Sequence, residues 1–247
     1  MMKRDLFFRT PLMNAAGTLG FAPDLRAPIA WDALGAFVTN PISYRSRKPA
    51  SHPEMIEYPG GFLIHNGLPN PGIRSVIKKY FQRWRQSDLP IIAHLMADRP
   101  AETRMMSQAL EGAENVMAIE LGFAPGLTLE IVLFSIEAAL GELPLIVSLP
   151  MDKVLEWGSA VVNAGASAIS ISAPRGSLER NGEIVTGRLY GQALLPQSLL
   201  AVSEGSMLGL TMIGGLGVYD QQDAQSMLQA GASAVQIDAW LWRGDFQ

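Results

Sequence analysis

The chain has 247 residues, 48% hydrophobic and 17% charged, with 24 glycines, 16 prolines and no cysteine. That length buries most of the apolar surface an unfolded chain exposes and lies near the roughly 250 residues of one (β/α)8 barrel, which excludes a disordered chain or a small stapled scaffold. Zero cysteine excludes disulfides, thiolate metal ligands and a cysteine nucleophile or base, and a formal charge of -4 with scattered basic residues offers no stripe that tracks a phosphate backbone.

Nucleic acid is therefore not an expected partner. At the amino end Lys3 and Arg4 precede Leu6, Phe7 and Phe8, but Arg9 and Pro11 interrupt the apolar run well short of a secretory core. No window approaches the ~18 apolar residues of a membrane span, so the expectation is a soluble, cytoplasmic protein with no membrane partner. His52, His65 and His94 lack the spacing of a zinc motif, and no metal site is expected.

In chain order, the patterning gives a strand over Leu12–Asn14, a helix over Leu25–Leu34, a strand over Ala36–Thr39, a helix over Gly72–Arg85 and a strand over Ile91–His94. A helix over Ala101–Glu111, a strand over Val116–Leu121, a helix over Leu127–Leu140, a strand over Leu145–Leu149 and a helix over Lys153–Ala164 follow. The series closes with a strand over Ala168–Ser172, a helix over Leu194–Glu204, a strand over Leu210–Ile213, a helix over Gln221–Gln229 capped by Asp220, and a strand over Ala234–Ile237. Two joints nearly repeat: Asn163–Ile171 reads NAGASAISI and Gln229–Ile237 reads QAGASAVQI. In each, a helix ends at a glycine suited to positive φ and a buried parallel strand begins. Eight strands alternating with helices make the expected fold an α/β, single TIM (β/α)8-type barrel over residues 1–247, lacking a helix after the eighth strand.

Two connections exceed what a barrel needs, residues 40–72 with an alternating piece at Glu54–Tyr58, and residues 174–191 with another at Leu178–Val185 around Asn181-Gly182. Both follow strands, so both belong to the face where barrels carry their sites.

The segment Pro11-Leu12-Met13-Asn14-Ala15-Ala16-Gly17-Thr18-Leu19-Gly20-Phe21 resembles the class 1 dihydroorotate dehydrogenases, which are FMN-dependent (β/α)8 barrels of pyrimidine biosynthesis. The resemblance continues in order through Gly35–Thr39, Pro59–Leu63, Gly67-Leu68-Pro69-Asn70-Pro71-Gly72, Ile119-Glu120-Leu121, Gly191–Pro196 and Ala230–Gln236. It implies FMN, with Ala15, Ala16 and Gly17 giving a ring close approach to backbone, and Asn40, Gly191, Gly214 and Gly215 also at the cofactor. It further implies a small planar ligand near Gly67, Leu68 and Asn70.

Several family groups are replaced. A lysine of a Thr-Lys-Thr segment corresponds to Asn40, and a second, in Val-Lys-x-x-Pro, to Ser148. Substrate asparagines correspond to Ile64 and to the stretch Leu121-Gly122-Phe123-Ala124-Pro125-Gly126, and a third amide to Ser172-Ala173. The Gly-Thr or Gly-Ser that holds the FMN phosphate becomes Asp238-Ala239, placing a carboxylate where a dianion would lie. The family base is a Cys or Ser; Ser43, Ser46 and Ser51 lie in the matching loop, and His65 and His94 are the other acid–base candidates. Glu120, inside a strand, is expected to be a structural, hydrogen-bonded carboxylate. The expectation is thus a dihydroorotate dehydrogenase-like barrel without dihydroorotate oxidation. The alternatives are an FMN oxidoreductase of altered substrate using His65 or His94, and a non-catalytic subunit, homo-oligomeric or paired with another protein.

Overall fold

In the computed structural model the described residues are 6–246; residues 1–5 and 247, with Lys3 and Arg4 among them, lie outside the described residues. The chain runs β1 (Leu12–Asn14), β2 (Phe37–Val38), β3 (Glu54–Tyr58), β4 (Gly61–His65), α1 (Ile73–Arg85), β5 (Ile91–Met96), α2 (Pro100–Gln108), β6 (Val116–Gly122), α3 (Leu129–Ala139) and β7 (Leu145–Leu149). It continues through α4 (Val154–Asn163), β8 (Ala168–Ile171), β9 (Arg175–Arg180), β10 (Glu183–Tyr190), α5 (Leu195–Met207), β11 (Met212–Gly215), α6 (Gln221–Gln229), β12 (Ala232–Ile237) and α7 (Ala239–Arg243). No helix among the described residues is long and apolar enough to cross a membrane.

Eight parallel strands pair in the order β1-β12-β11-β8-β7-β6-β5-β2, a TIM-type barrel. Between β1 and β2 the ladder shrinks to one bridge, Met13 to Ala36. The Asn14 side chain completes this seam: its amide nitrogen donates to the Val38 carbonyl at 2.7 Å and its oxygen accepts from the Val38 amide at 2.9 Å. A side chain thereby performs both halves of a backbone pairing.

Inside the barrel, Met13, Ala36, Val38, Ile92, Ala118, Ile146, Ala168, Ile213 and Ala234 form one apolar layer. A second core fills the space between strands and helices, with Phe37, Trp84, Met106 and Leu121 fully buried. The repeated joints behave as their sequence suggests. Gly165 and Gly231 take φ of 119° and 105°, which side-chain-bearing residues disfavour, and each leads directly into a buried strand. Asp220 caps α6 by accepting from the Asp223 amide at 2.9 Å.

Two expectations are corrected. The helix over Leu25–Leu34 is absent; only a three-residue 3-10 turn at Trp31–Ala33 forms. Pro28 brings no amide proton to that stretch, and Asp24 folds back on the Arg26 guanidinium at 2.8 Å to set a local turn instead. The seventh barrel strand starts at Met212 rather than Leu210, because α5 runs on to Met207 and a turn through Gly209, at φ 73°, takes up the next residues. As expected, no full-length helix follows the eighth strand; α7 there is a single helical turn. Trp240 packs edge-on against Phe246 at 4.8 Å, and the Phe246 carbonyl accepts from the Ala30 amide, so the tail folds back over this flank.

The two long connections join in one structure. β3 and β4 form a hairpin, β9 and β10 another, and β4 pairs with β10 to give the four-stranded antiparallel sheet β3-β4-β10-β9 over the barrel mouth. Asn181 and Gly182, both at positive φ, make the two-residue turn of the second hairpin.

Candidate active site

Side chains two residues apart on a strand share a face, so the positions following the apolar interior layer form the next layer toward the mouth. These are His94, Glu120, Ser148, Ser170 and Gln236, all buried. Glu120, 1% exposed, accepts from His94 Nδ1 at 2.7 Å, from the Ser170 hydroxyl at 2.6 Å and from the Gln236 amide at 2.7 Å. Burial pushes the Glu120 carboxyl up, but these three hydrogen bonds and the His94 charge outweigh it, and the carboxyl is held below the usual range. Glu120 is therefore an ionised anchor that fixes the ring of His94, as expected of a structural carboxylate.

Gly122 makes room for that ring. A Cβ at Gly122 would collide with His94 Nε2. Gly122→Ala is accordingly expected to lower stability by about 1–3 kcal/mol, the usual range for overpacking. A double-mutant cycle with His94→Ala should remove most of that loss, and an undiminished loss in the His94→Ala background would show that the imidazole is not what the methyl meets.

Above this layer lies a cavity of about 100 Å³. Ala15, Ala16 and Gly17 line it, as do Ser148, Gln236 and Asp238. Leu68, at φ 53°, reaches its edge, while Gly67 is needed at φ 73° because a Cβ there would press on the Ala50 backbone. The other expected cofactor residues are elsewhere. Asn40 turns to Gly20, whose amide donates to its side-chain oxygen at 3.0 Å. Gly214 and Gly215 sit inside β11 rather than after it, paired with Val235 and Gln236, and a Cβ on either would crowd Met227 or the Gln236 carbonyl. Gly191, at φ 140°, lets the chain cross the Gly60–Gly61 turn.

Asn70 is buried but fully engaged. Its oxygen accepts from the Ser43 amide, the Ser43 hydroxyl and the Gly72 amide, and its nitrogen donates to the Leu68 carbonyl. It organises the loop, and Ser43 is held with it. His65 lies on β4 with Nδ1 2.9 Å from the Thr186 carbonyl, apart from the His94 layer but on a second cavity of about 250 Å³ that His94 also borders.

The cap contributes Tyr190 and Arg188, which the sequence pattern does not single out, and α7 contributes Trp242 and, at its start, Asp238. Tyr190 and Trp242 pack at 5.1 Å and both contact the Phe62 ring, closing the small cavity from above. Burial pushes the Tyr190 hydroxyl up to about 12. Asp238, 1% exposed, takes the Ala239 amide at the start of α7, yet burial still pushes its carboxyl up to about 6. Arg188, on β10, borders the 100 Å³ and 250 Å³ cavities and also an open cleft of about 1100 Å³ beyond Phe123, Trp157 and Leu200. One sequence signal points to it: a two-residue turn at Asn181-Gly182 sets Arg188 directly opposite Arg175.

A family profile described as Dihydroorotate dehydrogenase matches residues 4–124 of the chain. A dihydroorotate dehydrogenase B (NAD(+)) catalytic subunit from Trichlorobacter lovleyi is 30% identical over 255 residues, covering 94% of this chain and 84% of that protein. The protein of the same description from Geotalea daltonii is 30% identical over 251 residues, covering 93% and 82%. Among solved structures, a DHODH from Eimeria tenella in complex with ferulenol superposes with a TM-score of 0.79 at 16% identity, covering 96% of this chain and 78% of that one, a likeness of fold.

Proposed function

We propose that this chain, which belongs to the dihydroorotate dehydrogenase family, is a ligand-binding barrel of that family that does not oxidise dihydroorotate. The observation that carries this reading is Asp238, a carboxylate 1% exposed at the end of the eighth strand, where the family resemblance puts the groups that hold the FMN phosphate. Bringing a dianionic phosphate beside a buried carboxylate is opposed by Coulomb repulsion in a poorly screened site. The ring bed supports the same reading. Ala15, Ala16 and Gly17 leave room against the backbone, but Tyr190 and Trp242 crowd the space directly above them, about 100 Å³ before it opens past His94 and Arg188 into the neighbouring cavity of about 250 Å³. The residues present do not fit the flavin. Ser148, in the place of a family lysine, brings no cation to offset developing negative charge.

The test is uptake of FMN. Protein incubated with excess FMN and passed through gel filtration is expected to elute without flavin absorbance. Near-stoichiometric yellow protein would sink this reading and require turnover with dihydroorotate to be measured next.

A second reading is favoured by one feature, the buried His94–Glu120 pair at 2.7 Å. A carboxylate that fixes Nδ1 leaves Nε2 to exchange a proton, the arrangement of a general acid–base group beside a cavity. On that reading the barrel acts on a substrate of its own choosing, and His94→Gln abolishes the activity while the protein stays folded.

A further inference from the structure

We propose that the space between the cap sheet and the barrel mouth is a binding site for a small organic dianion, held by Arg188 and Arg175 with Arg47 at the rim. This deepens the ligand-binding reading above and rests on it.

Arg188 and Arg175 are register partners on the antiparallel strands β10 and β9, so their side chains leave the same face side by side. Like charges directly opposite one another destabilise a sheet, and natural hairpins place opposite charges there. Here neither guanidinium has a hydrogen bond or ion pair among the described residues. Arg188 is also the less exposed of the two, removed from the water that would otherwise screen it. Burial, followed by the charges of Arg175 and Arg47, pulls its affinity for a proton down, while Tyr190 and Asp98 pull the other way.

Both arginines and Arg47 line the cavity of about 250 Å³, whose single carboxylate is Asp98. Asp98 is already occupied in part, accepting from the Ala124 amide at 2.6 Å. Three cations against one carboxylate leave a charge of about +2 to be met from outside. The volume is smaller than a drug-sized pocket, which limits the ligand to a compact molecule. Two planar guanidinium forks side by side match two carboxylates, or a phosphate ester, better than a single charge. Arg188 stands where this cavity meets the space above His94, so the anionic end of a ligand bound there would leave the rest of it facing the polar layer.

Thermal unfolding of the full chain, followed with succinate, inorganic phosphate or chloride at matched ionic strength, tests the site. Succinate or phosphate is expected to raise the midpoint saturably and chloride is not; the dianion that acts identifies the site as one for dicarboxylates or for phosphate compounds. Arg188→Gln should weaken the effect at least tenfold and Arg175→Gln severalfold, while Arg26→Gln, at a residue that pairs with Asp24 and lines none of these cavities, leaves it unchanged. Without ligand, Arg188→Gln should unfold at the same or a higher temperature than the parent, since a like-charge contact is gone. If that variant misfolds, Arg175→Gln, at an exposed position, carries the test alone. No saturable response to either dianion, or one that survives Arg175→Gln undiminished, overturns the proposal. FMN uptake is read separately by absorbance, so failure of the flavin-free reading and failure of the dianion site give different results.

Discussion

Asn14→Leu is expected to destabilise the fold by about 2–6 kcal/mol, because two buried backbone groups lose their partners at about 1–3 kcal/mol each. For a chain of this size that is a fall in Tm of order 10 °C. The side chain is fully buried and closes the β1–β2 seam through the amide and carbonyl of Val38, where the backbone itself offers only the Met13–Ala36 bridge. Leucine has similar volume, so packing is nearly kept and the loss is polar. Asn14→Asp separates the two bonds: an aspartate still accepts from the Val38 amide but sets an oxygen against the Val38 carbonyl, and it should be as damaging as leucine or more so at neutral pH. Denaturant unfolding with both variants checks this. A loss under about 1 kcal/mol for Asn14→Leu would mean that the barrel closes without the amide, through the remaining contacts of β1 with β12.

Local chemistry makes much of this fold readable from the sequence. Leu145–Leu149 and Glu54–Tyr58 have their expected bounds, since a β-rich apolar run broken only by Ser148 and a short piece mixing polar with apolar residues each suit one strand environment. Gln221–Gln229 does too, fixed by its Asp220 cap and its closing glycine joint. Leu25–Leu34 fails for an equally local reason: its apolar spacing is helical, but Pro28 and the Asp24–Arg26 clasp decide the backbone. The cap sheet cannot be read this way. β4 pairs with β10 across more than a hundred residues, and no short window records that partnership. The candidate site divides along the same line. Ala15, Ala16 and Gly17 border the cavity because they follow directly on the end of β1 at the barrel mouth, whereas Asn70 and Asn40 answer to neighbours brought up by loops. Asn14 lies in plain view within a family-like segment, but its role depends on Val38, 24 residues on. Arg188 is accessible in principle through the Asn181-Gly182 turn, but the cavities it borders exist only once the cap is folded over the barrel.

Asp238→Asn is expected to stabilise the protein by about 2–3 kcal/mol above pH 7 and to leave it unchanged near pH 4. Burial raises the folded-state pKa of this carboxyl from an ordinary 3.8 to about 6, so the native state holds the proton more tightly than the unfolded chain does. Its contribution is most favourable below the unfolded value, is lost as pH rises from about 4 to about 6, and becomes a constant penalty above that, near 1.4 kcal/mol for each tenfold gain in proton affinity on folding. Asparagine keeps an oxygen to accept from the Ala239 amide and carries no charge to desolvate, so only the penalty is removed. The difference between variant and parent should therefore be flat below about pH 4, rise through about pH 5–6 and level off above about pH 7, in urea unfolding measured across that range. The same substitution bears on flavin exclusion. If the carboxylate is what keeps a phosphate away, Asp238→Asn should bind FMN more tightly than the parent at about pH 8, where the parent carboxyl is ionised, even with Tyr190 and Trp242 still narrowing the ring bed. A stability gain without any gain in FMN affinity would assign the exclusion to those two aromatic rings, and Tyr190→Ala, which opens the cavity without altering charge at neutral pH, would then be the variant that admits the flavin.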